Sequence, residues 1–400
     1  MPKVTQQNLP KGWQKKQLGD LGRVSMCKRI LKSQTSETGD IPFFKIGTFG
    51  KEPDAYITKE VYEDFKTKYS FPKIGDILIS ASGTIGRTVV YDGSPSYYQD
   101  SNIIWIANDE DLVVNTYLNY LYEKVRWQTA SGTIARLYND NVRRVEISTP
   151  EITEQNRIVK VLETWDEAIE KLDRIIKLKK SVKKGLMQKL LTGELRLPGF
   201  KDEWQETLLN EVVTFAKGNV LSKADLDSEG KYECIHYGEL FTKYGEVITS
   251  VISRTNKDVK VSKSESGDVL MPTSDVTPRG LATASCINKK GVVIGGDTLV
   301  LRPKKNIDGN FLSFYINSHK KDVMKLVSGT TVFHLYGSGM KKMKIKYPTD
   351  VEEQKQIAEV IISVNKQIKT LEKKMSYFQE QKKHLLNNLV TGQIRTPENL

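Results

Sequence analysis

The clearest pattern in this chain is an apolar stripe with the period of a helix, and the stripe occurs twice. It advances in steps of four and three residues, and the second stripe repeats the first at positions 199 residues later. Such a/d spacing predicts a long helix that buries one seam against another helix. The predicted seam residues are Ile158, Leu162, Trp165, Ile169, Leu172, Ile176, Ile357, Ile361, Val364, Ile368, Leu371 and Met375.

Flanking residues predict where the two helices begin and end. Pro150 and Pro348 precede them, and Gly193 and Gly392 follow where a C′ glycine ends a helix. Each helix then has about 38 residues and a length on the order of 57 Å. A helix with an exposed seam needs a mate. We expect the two helices to form an antiparallel intramolecular coiled coil with a pseudo-twofold axis. Pairing with a helix of another chain is the alternative.

The stripes belong to a repeat that covers the whole chain. Leu137 and Tyr138, for example, recur 198 residues later as Leu335 and Tyr336. In front of each helix, short apolar runs between Gly, Asp, Ser and Pro residues predict strands. The first copy has runs at 41–46, 77–80, 87–91 and 103–106 and a helix over 114–129. The matching runs of the second copy are 232–237, 269–271, 291–294 and 298–301, with a helix over 311–327.

These elements predict an α+β fold in which each front domain has a curved, mostly antiparallel sheet. Two repeated domains, residues 1–150 and 199–348, are expected to be joined by two helical spacers, residues 151–198 and 349–400. Positions that both copies keep, such as Trp13 with Trp204 and Tyr138 with Tyr336, are interpreted as scaffold.

Composition narrows the class of protein. The 400 residues are 38% hydrophobic and 28% charged, which is ordinary for a globular protein. No apolar run approaches the roughly 18 residues of a membrane span, and the first residues lack the apolar core of a signal peptide. Cys27, Cys234 and Cys286 are too far apart for a disulfide framework. We therefore expect a soluble, cytoplasmic protein with no membrane partner.

The net charge of +12 is concentrated in the second halves of the predicted helices. Residues 170–198 hold nine basic against three acidic side chains, and residues 369–397 hold six against two. Three interpretations stay open: a solvated helix face, a surface that follows a phosphate backbone, and a docking surface for an acidic protein.

No catalytic centre is expected in this chain, because the common catalytic motifs are missing from its sequence. The chain has no phosphate-binding loop, no GxGxxG, no GxSxG and no Asn/Asp-Pro-Pro-aromatic tetrapeptide. Cys234 and His236 form half of a metal site without a second pair, so no metal is expected. Asp54, Asp64 and Lys66 loosely match a nuclease pattern, but the second copy has no counterpart.

Recognition by loops is the remaining function. Residues 80–87 and 272–279 occupy equivalent places, are rich in hydroxyl groups, end in arginine and differ in sequence, which suits contacts to phosphates and base edges. Hairpin turns use the same residues, and this is the alternative. The candidate DNA-binding residues are Lys45, Ser80, Ser82, Thr84, Arg87, Tyr97, Tyr98, Arg136, His236, Thr273, Ser274, Asp275, Thr277, Arg279 and His334. Tyr97 and Tyr98 are interpreted as an aromatic pair in a polar loop, which could stack or simply pack.

Several motifs resemble the specificity subunit of type I restriction-modification systems. They are the run 130–137, residues 141–150 before Glu154 and Gln155, residues 83–87, and the opening pattern 10–13 before 18–20. The likeness covers both halves of the chain. The second copy departs from the pattern at residues 275–278, where the first copy has Gly-Thr-Ile-Gly.

The resemblance implies a non-catalytic reader of double-stranded DNA. Each front would be a target-recognition domain for one half of a split, asymmetric sequence, and the coiled coil would set the distance between the halves. It implies two modification subunits that methylate adenine with S-adenosylmethionine, and two restriction subunits driven by ATP with Mg²⁺. This chain itself would hold no cofactor.

Three other functions are weighed against this one. A stand-alone sequence-specific DNA-binding regulator would bind its site tightly without partners. A pure coiled-coil scaffold would bind no specific DNA. A nuclease built on Asp54, Asp64 and Lys66 would cut DNA with magnesium alone.

Overall fold

The computed structural model describes residues 9–127, 136–219, 221–257 and 263–399. The chain forms two compact units, the first from Met1–Leu172 with Lys374–Leu400 and the second from Asp173–Lys373. Each unit holds one front domain and a segment of each long helix. Residues 130–135 of the motif run 130–137 lie outside the described residues, as do the last two residues of the helix predicted over 114–129.

The described elements of the first front domain alternate strands with short helices. Its strands are β1 (Gln14–Gln17), β2 (Gly22–Ser25), β3 (Ile41–Phe44), β4 (Tyr56–Ile57), β5 (Ile77–Ser80), β6 (Thr88–Val90), β7 (Tyr97–Tyr98), β8 (Ile103–Asn108) and β9 (Glu146–Thr149). Its helices are α1 (Leu18–Leu21), α2 (Lys59–Lys68), α3 (Asn115–Tyr122) and α4 (Asn139–Arg143), with a 3-10 turn at Lys32–Gln34.

The central sheet of this domain has the strand order β2-β8-β5-β6 and is antiparallel. Both of its faces are covered, which explains the continuous apolar run in β8. Ile104 and Ile106 pack on the side of α3 and the long helices, whereas Ile103 and Trp105 pack into a second core with β3 and α2. That second core carries a smaller sheet, β4-β3-β7, in which β3 and β7 run parallel.

The second front domain repeats this plan with insertions. Its described strands are β10 (Trp204–Leu208), β11 (Val213–Lys217), β12 (Tyr232–Ile235), β13 (Val247–Ile248), β14 (Ser253–Thr255), β15 (Asp268–Pro272), β16 (Ser274–Asp275), β17 (Ser285–Ile287), β18 (Val293–Ile294), β19 (Thr298–Pro303), β20 (Val327–Ser328), β21 (Phe333–Leu335) and β22 (Lys344–Pro348). Its helices are α6 (Leu209–Val212), α7 (Glu239–Thr242), α8 (Pro278–Leu281), α9 (Gly309–Ser318), α10 (Lys320–Met324) and α11 (Gly337–Met340), with a 3-10 turn at Lys223–Asp225.

The pairing of these strands identifies the equivalent elements of the two domains. The sheet β11-β19-β15-β17-β13 matches β2-β8-β5-β6, and the parallel pair β12 and β18 matches β3 and β7. The pair β10 and β22 matches β1 and β9. The match predicted between 87–91 and 291–294 is therefore wrong, because β6 extends the central sheet whereas β18 belongs to the smaller sheet. In place of one curved sheet, each front domain has several small ones.

The two long helices are the predicted ones. Helices α5 (Ile152–Leu190) and α12 (Val351–Leu389) have 39 residues each. In the first unit the ring of Trp165 lies edge-on to that of Phe378, with centroids 5.3 Å apart. In the second unit Leu190, at the end of α5, shares a core with Ile357, near the start of α12. In both units an early segment of one helix packs beside a late segment of the other, so the helices run antiparallel, and the predicted fold class is confirmed.

Burial differs along the predicted seam. Ile158 and Leu162 are completely buried and share a core with Leu386 and Leu389, so this part of the seam continues into the front domain. The buried seam residues are Ile158, Leu162, Leu172, Ile176, Ile357, Ile361 and Ile368, and the half-buried ones are Trp165, Ile169, Val364, Leu371 and Met375.

Each long helix is followed, three residues after its end, by a glycine in the left-handed conformation, Gly193 at φ +77° and Gly392 at φ +70°. The N–H of Leu195 donates to the carbonyl of Lys189 at 3.0 Å, and that of Ile394 to the carbonyl of Asn388 at 3.2 Å. The two C-termini therefore close in the same way.

The other helix predictions need correction. Helix α3 ends at Tyr122, earlier than predicted, and the helix predicted over 311–327 is broken at His319 into α9 and α10. A tighter i→i−3 hydrogen bond follows each helix: the Lys124 N–H donates to the carbonyl of Leu121 at 2.8 Å, and the His319 N–H donates to that of Ile316 at 3.1 Å. Periodicity carries no signal for such a turn.

Candidate nucleic-acid interface

The loop after β5 is held from inside by two of the predicted contact residues. Ser80 is buried, its hydroxyl donates to the Thr84 carbonyl at 2.5 Å, and the Arg87 N–H donates to the same hydroxyl at 2.8 Å. The Arg87 guanidinium donates to the Phe49 carbonyl at 2.8 Å. Ser80 and Arg87 therefore maintain the loop, whereas Thr84 is exposed at its tip and Ser82 is half-buried.

Ser82 joins this loop to two other segments. Its hydroxyl donates to Asn102 Oδ1 at 2.9 Å, and its backbone forms a bridge with Arg136. The Arg136 guanidinium donates to the carbonyl of Ser101 at 2.9 Å. We call Ser82, Asn102 and Arg136 the first edge. It places a hydroxyl, an amide and a guanidinium side by side, which are the groups that bind phosphates and base edges.

The second domain builds an equivalent edge with different side chains. Strand β16 pairs with β21, which puts Ser274 opposite His334, and the hydroxyl lies 3.1 Å from the imidazole Nδ1. Thr273 is buried and its N–H donates to the carbonyl of Asp297 at 2.8 Å, as Ala81 does to Asn102 at 2.7 Å. We call Ser274, Asp297 and His334 the second edge.

The loops beside the two edges are built differently. The first loop turns on two left-handed glycines, Gly83 at φ +64° and Gly86 at φ +81°. The second is tied by Asp275, whose carboxylate accepts the Thr277 hydroxyl at 2.7 Å, and runs into the short helix α8. Arg279 on that helix is exposed and lies near Lys320. The pKa of Lys320 is lowered, mainly by burial and to a lesser degree by the positive charge of Arg279.

Each domain has a cleft next to its edge. The candidates Lys45, directly after β3, and His236, directly after β12, occupy equivalent places and line the first and the second cleft respectively. The first cleft has about 440 Å³ and the second about 510 Å³. Lys45 Nζ lies 2.8 Å from the Asp54 carboxylate, and the rings of His236 and Tyr237 are tilted by 42° with centroids 4.6 Å apart. Each cleft lies between three parts of its domain: the 3-10 turn, the end of the middle strand of the smaller sheet (β3 or β12), and the loop before β8 or β19. The lining residues include Lys32, Lys45, Gln99 and Asn102 in the first cleft and Lys223, His236, Gly296 and Asp297 in the second.

Two interpretations of tyrosines need correction. Tyr97 and Tyr98 lie in β7 and not in a polar loop, and they are buried at 0% and 5% exposure. They pack against Phe65 and Phe44, which is the second of the two alternatives. Tyr138 and Tyr336, interpreted as scaffold, are 55% and 57% exposed beside the two edges. Both copies keep these tyrosines, and this retention led to the scaffold interpretation although it fits a shared surface role equally well. The buried Trp13 at 6% exposure fits the scaffold interpretation.

The residues considered for metal binding or cleavage have other partners. The Cys234 thiol is buried in β12, and burial raises its pKa to about 11, which keeps it protonated and a poor metal ligand at neutral pH. Asp54 pairs with Lys45, and Asp64 pairs with Lys68. Within the described ranges, no three His, Cys, Asp or Glu side chains gather as metal ligands, and no helix is long and apolar enough to cross a membrane.

Together these features define a class: proteins with two related binding domains, each built on segments of the same two long helices and each presenting an edge of different chemistry. The family model of the type I restriction modification DNA specificity domain matches residues 10–180 and again residues 201–376. The chain belongs to this family of specificity subunits and carries two target recognition domains.

Individual relatives agree with this assignment. A protein of Haemophilus influenzae named as a type I restriction enzyme specificity subunit is 62% identical over 151 residues, which are 38% of this chain and 39% of that protein. The MjaX specificity subunit of Methanocaldococcus jannaschii is 26% identical over 419 residues, covering 97% of this chain and 95% of the relative. The crystal structure of the type I S subunit from M. genitalium covers 97% of both chains with a TM-score of 0.60 and 17% identity, a likeness of fold.

Proposed function

We propose that this chain is the DNA-reading subunit of a type I restriction-modification complex, in which each recognition domain reads one half of a bipartite, asymmetric target. The observation that carries the proposal is the pair of equivalent edges with different side chains. A guanidinium at Arg136 and an imidazole at His334 occupy the same place on one scaffold. Two readers of this kind suit two different half-sites in one target.

The long helices are proposed to set the spacer between the half-sites. Each has 39 residues, hence a length of about 58 Å at 1.5 Å per residue. This exceeds the roughly 34–36 Å of one turn of DNA, a common separation of half-sites. The basic second halves of the helices suit contacts with the phosphates of the spacer, which carry no sequence information.

The chemistry is proposed to reside on partner subunits. Two modification subunits would flip the target adenine and methylate it with S-adenosylmethionine, and two restriction subunits would use ATP and Mg²⁺ to cleave. This chain would then bind no cofactor and act in the cytoplasm. Its contribution would be the choice of sequence.

Single-molecule sequencing of adenine methylation tests the proposal, with and without this gene in its host. We expect a split motif with a fixed gap to lose methylation in the deletion strain and to regain it on complementation. An unchanged pattern in a strain that expresses the chain would contradict the proposal. It would favour a stand-alone regulator, for which tight DNA binding by the purified chain alone is the next measurement.

A further inference from the structure

Two exposed tyrosines stand at equivalent places on the two domains. Tyr138 is 55% exposed and Tyr336 is 57% exposed, and each is followed directly by a short helix, α4 or α11. Large aromatic side chains usually bury most of their surface when they serve only the fold. An exposed ring kept at the same place in both domains indicates a contact outside the chain.

The backbone explains why these rings face outward. Leu137 is 3% exposed and Leu335 is 1% exposed. Their N–H groups donate to the carbonyls of Ala81 and Thr273 at 2.8 Å and 3.0 Å, within the candidate recognition loops 80–87 and 272–279. Both tyrosines are extended, with φ −95° and −93°. Because neighbouring side chains of an extended segment point to opposite sides, a buried leucine places the next side chain at the surface.

The neighbours of the tyrosines differ between the domains, although the tyrosines do not. Arg136 precedes Tyr138 by two residues, and its place is taken by His334, whose ring lies 6.0 Å from that of Tyr336. Side chains that differ suit the part of the ligand that differs between the half-sites. A side chain that is the same in both suits a feature that all DNA shares, namely its sugars and phosphates.

We propose that Tyr138 and Tyr336 are sequence-independent contacts to the DNA backbone, one at each half-site. Each ring packs against a sugar and each hydroxyl donates to a phosphate oxygen, which fixes how the duplex sits on the edge. The inference rests on the proposed function, since it requires DNA at the edges. A protein partner is the less favoured ligand, because the tyrosines share their surface with the residues that differ between the domains.

The test measures DNA binding by the complex of this chain with its modification subunits. Variants Y138A, Y336A and Y138F are compared with I74A, which removes an apolar side chain that is 75% exposed before β5, at the opposite end of this strand from the loop 80–87. The duplexes carry the methylated motif or the motif altered in one half. We expect Y138A and Y336A each to weaken binding to every duplex by a similar factor, roughly tenfold, because each variant loses one hydrogen bond and also the packing of the ring. Y138F should lie between wild type and Y138A, and I74A should bind as wild type does.

Salt dependence adds a second readout. Tyrosine is uncharged, so the slope of affinity against salt concentration should stay that of wild type, whereas loss of a lysine or arginine contact would reduce it.

Three results would overturn the proposal. Unchanged binding by both alanine variants would remove the contact. A changed preference among the duplexes would make the tyrosines base readers. Loss of the modification subunits from the purified complex would assign the surface to a protein interface. Failure of the wild-type complex to prefer its motif would instead reject the proposed function, and this outcome is visible before any variant is made.

Discussion

At the scale of residues, two arginine–glutamate pairs tie the end of each helix to the start of the other. Arg196 binds Glu353 through two hydrogen bonds of 2.7 and 2.9 Å, and the glutamate side chain is 1% exposed. Arg395 and Glu154 form the equivalent pair at the other end, with an Nη2–Oε2 distance of 2.7 Å. Glu154 and Glu353 lie in the first turns of their helices, where an acidic side chain is favourable by itself. The arginines, 157 and 241 residues away in sequence, could not be matched to them before the helices were placed.

Removal of Arg196 should therefore destabilise the second unit. R196A leaves a buried carboxylate without its partner, and we expect the free energy of unfolding to fall by about 3 kcal/mol. The double variant R196A/E353Q should lose less, because a neutral amide is less costly to bury. K355A is the matched control, since Lys355 and Glu352 form an exposed pair at 3.9 Å and such pairs contribute about 0–1 kcal/mol. Urea unfolding measures all three, and equal losses for R196A and K355A would refute the role of the buried pair.

At the scale of elements, a lysine fixes each front domain to the helix pair. In the first unit Lys382 of α12 lies 2.5 Å from Asp166 of α5, which also accepts the Tyr120 hydroxyl of α3 at 2.7 Å. In the second unit, Lys183 holds the equivalent place but the residue equivalent to Asp166 is Asn365. The acid comes instead from Glu246 before β13, which accepts from Lys183 at 2.6 Å and from Asn365 at 3.4 Å.

The position of the acid predicts a rescue. E246Q should cost about 2 kcal/mol of stability by leaving Lys183 unpaired, and E246Q/N365D should recover much of it by restoring the arrangement of the first unit. Burial raises the pKa of Glu246, but the hydrogen bond and charge of Lys183 outweigh it and the net pKa lies below 4.5. The contribution of Glu246 is then complete above pH 4.5 and lost as pH falls through the lower folded pKa. Wild type and E246Q should thus converge in stability under acid. A constant difference at all pH values, or no rescue by N365D, would contradict this account.

Among the elements, the long helices could be predicted from the sequence, whereas the pairing of the strands could not. The a/d spacing and the closing glycines of α5 and α12 are local signals, and they locate both helices to within a few residues. Strand partners are not local. Tyr97 and Val293 belong to equivalent strands because of which strands they pair with, and no run of residues encodes that. The outward face of Tyr138 likewise depends on the bond between Leu137 and Ala81, which lie far apart in sequence.

At the scale of the whole molecule, the proposed spacer role predicts the effect of a longer helix. Four residues inserted next to Thr192 extend α5 by about one turn, or 6 Å. We expect the gap of the methylated motif to change by about one or two base pairs of 3.4 Å each, with both half-sites unchanged. The same insertion after Lys201 lies beyond the pair of Arg196 and Glu353 and should leave the gap as it was. Methylation at the original gap by the Thr192 insertion would exclude a spacer role for this helix.

The measurement that tests the central claim most directly is the adenine methylation map of two edge variants. S82A/R136A alters only the first edge, and S274A/H334A alters only the second. With one recognition domain for each half-site, each variant should relax or weaken the motif in a single half, and the two variants should affect opposite halves. If either variant changes both halves, or if both variants change the same half, the assignment of one half-site to each domain is wrong.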